Sequence, residues 1–272
     1  MMPGLSVIIP HHNHAEFVDV AILSALTLSG VDVEVIVIDD HSWMEPVDKP
    51  KQDKVFAVLD KWAQHPKVKI VKQSPQRGIA YTRIMGFRMA TKEYITNLDA
   101  DDAFLKNSAE ILIKLLLLYG ADGIWTNANS YDAKRLNTNY DLAKRGESYQ
   151  HLISSAEFTT RAVQAWVDRP CSGGGYDWEG HCTAGWVVKK TVFDECGLLT
   201  DEEINKMATI KEVARDELVF YSDLMLRNRN IIITNNQTYL YRFKPYLELY
   251  PGEKEKVEEM KAEAMVSLGE KP

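Results

Sequence analysis

The 272-residue chain has no apolar run near the roughly 20 residues that a membrane span needs, so the sequence predicts no transmembrane helix. Cysteine is scarce. Cys171, Cys182 and Cys196 are odd in number and lack CxxC spacing, which argues against a disulfide framework or a zinc knuckle and predicts reduced, structural thiols. Positive charge is in deficit: 32 Lys and Arg face 39 Asp and Glu, for a formal charge of -7. No broad basic field for nucleic acid or an anionic membrane follows from that balance, and nucleic acid is not the default partner. The opening MMPGLSVIIPHHNH lacks the basic start and cleavage pattern of a signal peptide, so cytoplasmic residence is the expectation. Internal repeats and linker-like runs are absent too. What remains, 45% hydrophobic and 26% charged residues, is the make-up of an ordinary folded protein with room for one large core or two small ones.

The first hundred residues alternate strand-like and helix-like runs. LSVIIP, VEVIVIDD, VKIVKQ and YITNL are short and Val/Ile-rich, and they are separated by the periodic stretches AEFVDVAILSALTLSG, KVFAVLDKWAQH and GIAYTRIMGFRMATKE. That alternation predicts βαβ units around a buried parallel sheet. Ligands gather at the carboxyl ends of such strands, which points to 10–13, 39–42 and 99–102 along one edge. Further on come a helix-like SAEILIKLLLLYG, a strand-like DGIWTNA and a polar stretch from 132 to 150. A Gly- and aromatic-rich RPCSGGGYDWEGHC then leads to strand-like TAGWVVKK, helix-like ELVFYSDLMLRN, two strand-like runs, IIITN and TYLYRF, and a charged amphipathic tail.

The acidic triplet in YITNLDADDAF is the chemical signal. Asp99, Asp101 and Asp102 within four positions repel one another unless donors, solvent or a cation offset the charge, and Mg²⁺ or Mn²⁺ is the natural candidate because each takes oxygen ligands and leaves positions for substrate phosphates. The bland alternative is a solvated turn capping a helix that starts near Phe104. Asp39 ends an all-apolar strand and belongs at the rim of the sheet, while Asp40 suits a bracing role in its loop. His11, His12 and His14 invite a metal reading, yet in an extended loop their rings need not converge, and packing or solvent contact is the expectation. Trp178, beside Tyr176 and Glu179, offers a flat apolar face to a sugar, with ordinary burial as its alternative.

VIIPHHN, EVIVIDDHS and RGIAYTRIMGFRMATKEYITNLDADD together resemble, in order and spacing, the signature segments of the GT-A glycosyltransferases of family 2, notably small soluble spore-coat-type and phage-encoded members. The resemblance covers roughly the first 105 residues, and GHCTAGWVVKKTVFDECG with ARDELVFYSDLMLRN extends it more weakly. It implies an α/β fold of GT-A (Rossmann-like) type, with a mixed, mainly parallel sheet flanked by helices in a single compact domain. Residues 1–105 would form the nucleotide-sugar half, 106–250 the acceptor half, and 251–272 a helical tail.

The implied activity is inverting, metal-dependent and non-processive transfer of a sugar from a UDP-sugar to an acceptor hydroxyl, with Mn²⁺ or Mg²⁺ as cofactor. Asp101 would hold the cation, with Asp99, Asp102 and His181 as further metal candidates. Pro10, Asn13 and Asp39 would surround the base, Asp99 would face the ribose or the metal's waters within a nucleotide-sugar-binding Asp99-Ala100-Asp101 segment, and Arg83 would reach the diphosphate. Arg77 is a weaker phosphate candidate whose preferred reading is surface solubility. Asp216 would be the catalytic base, with Glu217 as fallback and helix capping as the alternative for both; Trp178 and Glu179 would face the acceptor. That acceptor is a glycan, or as second choice a hydroxymethylated base in phage DNA; nucleic acid enters only in this role. Lys134, Arg135, Lys144 and Arg145 read as a solvated loop.

The chain departs from the family pattern at His12, His41, Ile84 and Lys92, and it lacks the Q-x-x-R-W signature and the membrane spans of processive synthases. Two rival functions are a nucleotidyltransferase, disfavoured because PHHNHAE carries neither glycine nor Lys or Arg, and a catalytically inactive nucleotide-sugar-binding module.

Overall fold

The computed structural model describes residues 2–42, 48–131, 186–196 and 230–242. They form one eight-stranded sheet in the order β3-β2-β1-β4-β7-β6-β8-β5. Its strands are β1 Gly4–His11, β2 Asp32–Asp40, β3 Val68–Gln73, β4 Tyr94–Asn97, β5 Ala103–Phe104, β6 Gly123–Tyr131, β7 Val187–Lys189 and β8 Ile231–Arg242. The helices are α1 Val18–Leu26, α2 Lys49–Trp62, α3 Ile79–Met89, α4 Ser108–Leu118 and α5 Lys190–Cys196. β1 pairs in parallel with β2 and β4, and β2 with β3; β7 runs antiparallel to β4 and β6, so the sheet is mixed and mainly parallel, as expected.

Alternation along β1 and β2 divides the residues between two faces. Leu5, Val7 and Ile9 pair with Val33, Val35 and Val37 and join the core beneath α1, which contributes Val18, Ala21, Ile22 and Ala25. Ile8 lies on the opposite face against α3. A Cβ placed on Gly86 would stand 2.3 Å from Ile8 Cγ2, so glycine is what lets that helix lie so close to the sheet. α3 is also fixed to the later part of the chain. Phe87 meets Trp186 at 5.7 Å and Phe193 at 4.7 Å, an aromatic cluster joining α3, the start of β7 and α5. α2 begins where Asp48 accepts a hydrogen bond from Lys51 N with proline in its first turn, and it buries Val55, Leu59 and Trp62 on one side.

Three local expectations change. No helix starts near Phe104: Ala103–Phe104 pairs antiparallel with β8, and α4 begins only at Ser108, so the acidic triplet caps no helix there. IIITN and TYLYRF form one strand rather than two, because β8 follows β6 through register shifts around Asn127 instead of turning. The TVFDEC run after β7, unassigned from periodicity, is helical. Outside the described residues lie the expected helix ELVFYSDLMLRN, the 251–272 tail and most of the 106–250 half. Among the described residues, no helix is long and apolar enough to cross a membrane.

Candidate active site

Because β2, β1 and β4 are neighbours, the segments that follow them share the carboxyl edge of the sheet. The apolar stripe Leu5–Val33, Val7–Val35, Ile9–Val37 ends there in the register pair His11–Asp39, which is ionisable. Both residues are buried, and His11 Nδ1 lies 2.7 Å from Asp39 Oδ1. The Ser42 hydroxyl donates to the same oxygen, whereas Oδ2 receives the long 3.3 Å bond from Ser42 N. Ser42 Oγ in turn accepts from Asn13 N at 2.8 Å, so the loops after β1 and β2 are tied through Asp39. Burial pushes the Asp39 carboxyl up, but the hydrogen bond and electrostatic pull of His11, with the two Ser42 donors, outweigh it and hold the group below the usual carboxylate range. His11 Nε2 is buried with no hydrogen-bond partner among the described residues.

On the other face of β2, Asp40 accepts from Arg77 N at 2.7 Å, Gly78 N at 2.8 Å and the Gln73 side chain. It therefore braces the approach to α3, the structural task the sequence suggested for it, and places its charge at that helix's N-terminus. His12 turns to the same brace: its Nδ1 donates to the Asp40 carbonyl at 2.8 Å, and its Nε2 accepts from Asn13 Nδ2 at 3.0 Å. Asn13 and His41 both adopt left-handed backbone, φ 63° and 64°. Asn and His are among the side chains that enter that region most readily, so both turns are formed without glycine. Arg77 lies over the Tyr81 ring, its Cζ 4.2 Å from the centroid.

The acidic triplet is divided by its surroundings. Asp99 Oδ1 accepts from Arg83 Nη2 at 2.7 Å, with the Arg83 side chain 4% exposed and that of Asp99 22%. Arg83, expected to reach phosphate, is thus held beneath the edge by an acid of the same motif. Ala100 and Asp102 are buried, and Asp102 N donates to the Asp99 carbonyl at 3.0 Å. Asp101 is partly exposed, its Oδ1 3.9 Å from His14 Nδ1. Pro10 is buried at the end of β1, and Asn13 is half-buried beside it.

Carboxylate oxygens at the edge suit a hard divalent cation. Among the described residues no group of three or more His, Cys, Asp or Glu is placed to hold a metal unaided, so phosphates and water would have to complete the coordination. Trp178, Glu179, His181, Asp216 and Glu217 lie outside the described residues, as do Lys134, Arg135, Lys144 and Arg145. Sequence reasoning missed the His11–Asp39 pair and the approach of His14 to Asp101. The first had a signal, a histidine and an aspartate each closing a strand's inward-facing alternation. The second had none, since 14 and 101 meet only through the neighbouring of β1 and β4.

A family model described as glycosyl transferase family 2 matches residues 6–169. The chain is 24% identical over 244 residues to the glycosyltransferase GlyG of Streptococcus pneumoniae serotype 4, covering 88% of this chain and 70% of that protein. It is 30% identical over 116 residues to an uncharacterized glycosyltransferase of Haemophilus influenzae, covering 43% of each. Among solved structures, S. aureus TarS 1-349 in complex with UDP-GlcNAc has a TM-score of 0.58 at 14% identity, covering 96% of this chain and 66% of that one. The chain spans 39% of the longer TarS chain. At this identity the likeness shows the fold alone, which is of GT-A type.

Proposed function

Because the chain belongs to glycosyl transferase family 2, and is therefore a glycosyltransferase, we propose that it moves a sugar from a UDP-sugar to an acceptor hydroxyl with inversion, aided by a divalent cation. The observation that carries the choice of donor is the division of labour within Asp39. Among the described residues two bonds converge on Oδ1 and only the 3.3 Å bond reaches Oδ2, so there Oδ2 keeps acceptor capacity at the sheet edge. A carboxylate held ionised accepts and does not donate, and therefore suits a base with a ring N–H, such as the N3–H of uracil, whereas cytosine can reach it only through its exocyclic amino group while its N3 lone pair faces the same charge. TarS 1-349 solved with UDP-GlcNAc gives the same reading a precedent on this fold.

Asp101, with Asp99 behind it, would hold the cation, which supplies positive charge to the departing diphosphate. Arg83 fixes the Asp99 carboxylate and keeps a guanidinium beneath the phosphate site. Asp216 takes the proton from the acceptor hydroxyl, the oxygen attacks the anomeric carbon from the side opposite the diphosphate, and the bond to UDP breaks as the new one forms. One such displacement inverts the anomeric centre. Trp178 and Glu179 would orient the acceptor, a glycan hydroxyl.

Calorimetric titration with UDP, CDP, GDP and their sugar derivatives, with Mn²⁺ and again with chelator, tests the donor. Metal-dependent binding of UDP over CDP is expected; equal binding of both removes the role given to Asp39, and no nucleotide binding at all removes the reading. Asp216→Asn should keep UDP binding and lose transfer by about 10²–10⁴-fold. Near-normal turnover in that variant would pass the base role to Glu217.

A further inference from the structure

Of the three histidines in PHHNH, two are engaged away from the acidic triplet: His11 with Asp39 and His12 with the Asp40 carbonyl. His14 alone of the three faces it. Its backbone is pinned before α1, where its carbonyl accepts from Phe17 N and Val18 N, both at 3.1 Å, and its ring stands edge-on to Phe17 at 6.2 Å. The backbone that carries the ring is therefore held by its own turn. Nδ1 comes to 3.9 Å from Asp101 Oδ1, too far for a hydrogen bond. Two octahedral ligand atoms each about 2.1 Å from one ion stand roughly 3 Å apart when cis, so closing the pair by about 1 Å through rotation of the part-exposed Asp101 side chain would let both reach one cation. Within the triplet, Asp99 is paired with Arg83 and Asp102 is buried, which leaves Asp101 as the acid that His14 meets.

Resting on the donor reading above, we infer that His14 joins Asp101 as a protein ligand of the catalytic cation, and that the site consequently takes Mn²⁺ in preference to Mg²⁺. Mg²⁺ demands near-ideal octahedral oxygen coordination, whereas an imidazole nitrogen suits first-row transition ions better. One carboxylate and one imidazole are too few ligands for tight binding alone, so the donor diphosphate completes the coordination and the cation binds well only with UDP present.

The decisive probe is pulsed electron paramagnetic resonance of the Mn²⁺–UDP–protein complex, which reads nitrogen bound to the metal without requiring turnover. The wild-type chain should show ¹⁴N modulation from a bound imidazole, and His14→Ala and His14→Gln should lose it while His181→Ala retains it. In calorimetry, His14→Ala should weaken UDP-dependent Mn²⁺ binding about tenfold or more, with Mg²⁺ binding changed much less. A wild-type complex without ¹⁴N modulation overturns the inference while leaving the donor reading intact, as does modulation that persists in both His14 variants. If UDP promotes no Mn²⁺ binding whatever, the donor reading falls and the inference with it.

Discussion

Removing the Arg83 guanidinium should expose how strongly the acidic triplet depends on a cation already built into the chain. Arg83→Met keeps the bulk of the side chain on α3 and deletes its charge, leaving Asp99 without the 2.7 Å bond. Opposite charges about 4 Å apart attract by about 4 kcal/mol at an effective dielectric of about 20, and breaking one end of a buried pair costs about 3–5 kcal/mol. Asp99 is 22% exposed, so water recovers part of that loss, and about 2–3 kcal/mol of destabilisation is expected. Asp99→Asn should cost a similar amount, because it removes the negative charge beside the more deeply buried partner, whose side chain is 4% exposed. The double variant should lose clearly less than the sum of the two singles. Urea unfolding of the nucleotide-free chain measures all three. A cost below about 0.5 kcal/mol for either single change, or strict additivity, would refute the pairing as a structural element. The same variants also separate the two tasks proposed for Arg83. Contact with phosphate requires Arg83→Met to weaken UDP binding more than uridine binding; an equal loss for both means the residue acts only through Asp99.

Two further outcomes follow from the packing and the edge electrostatics. Gly86→Ala gains about 1 kcal/mol of helix propensity but drives a methyl to 2.3 Å from Ile8 Cγ2, an overpacking that costs about 1–3 kcal/mol. A net loss on thermal unfolding, partly restored by Ile8→Val, is expected; a stabilised Gly86→Ala chain would contradict the close approach of α3 to β1. Asp39 is held below its usual range, so its contribution is fully present above an unfolded value of 3.8 and is lost as pH falls through the folded one. The stability gap between wild type and Asp39→Asn should therefore be widest near neutrality and shrink below pH 3.8, and a gap unchanged down to pH 2 would exclude an ionised Asp39 as its source.

The strand and helix alternation of residues 4–97 was legible because a buried parallel strand and an amphipathic helix each leave a strong local periodicity. The acidic triplet was equally plain, since three carboxylates within four residues need a physical reason wherever they stand. Asp40 was also readable as a brace. Local pattern failed where partners are distant. Ala103–Phe104 is a strand only because β8 lies beside it, and the 231–242 run stays unbroken because β6 supports it through shifted registers. Neither pairing leaves a trace in nearby sequence.

By itself, then, the sequence determined the order of the βα units, the carboxyl edge where polar loops gather, and the acids that carry charge there, all consequences of hydrophobic period and chain order. Tertiary structure alone decided how those acids differ. Asp39 faces His11 because strand register sets them side by side; Asp99 is neutralised by an arginine from α3; and Asp101 meets His14 because β1 and β4 are neighbours. A charge's role depends on its surroundings within a few ångströms, and those surroundings are assembled from segments up to 87 residues apart in the chain.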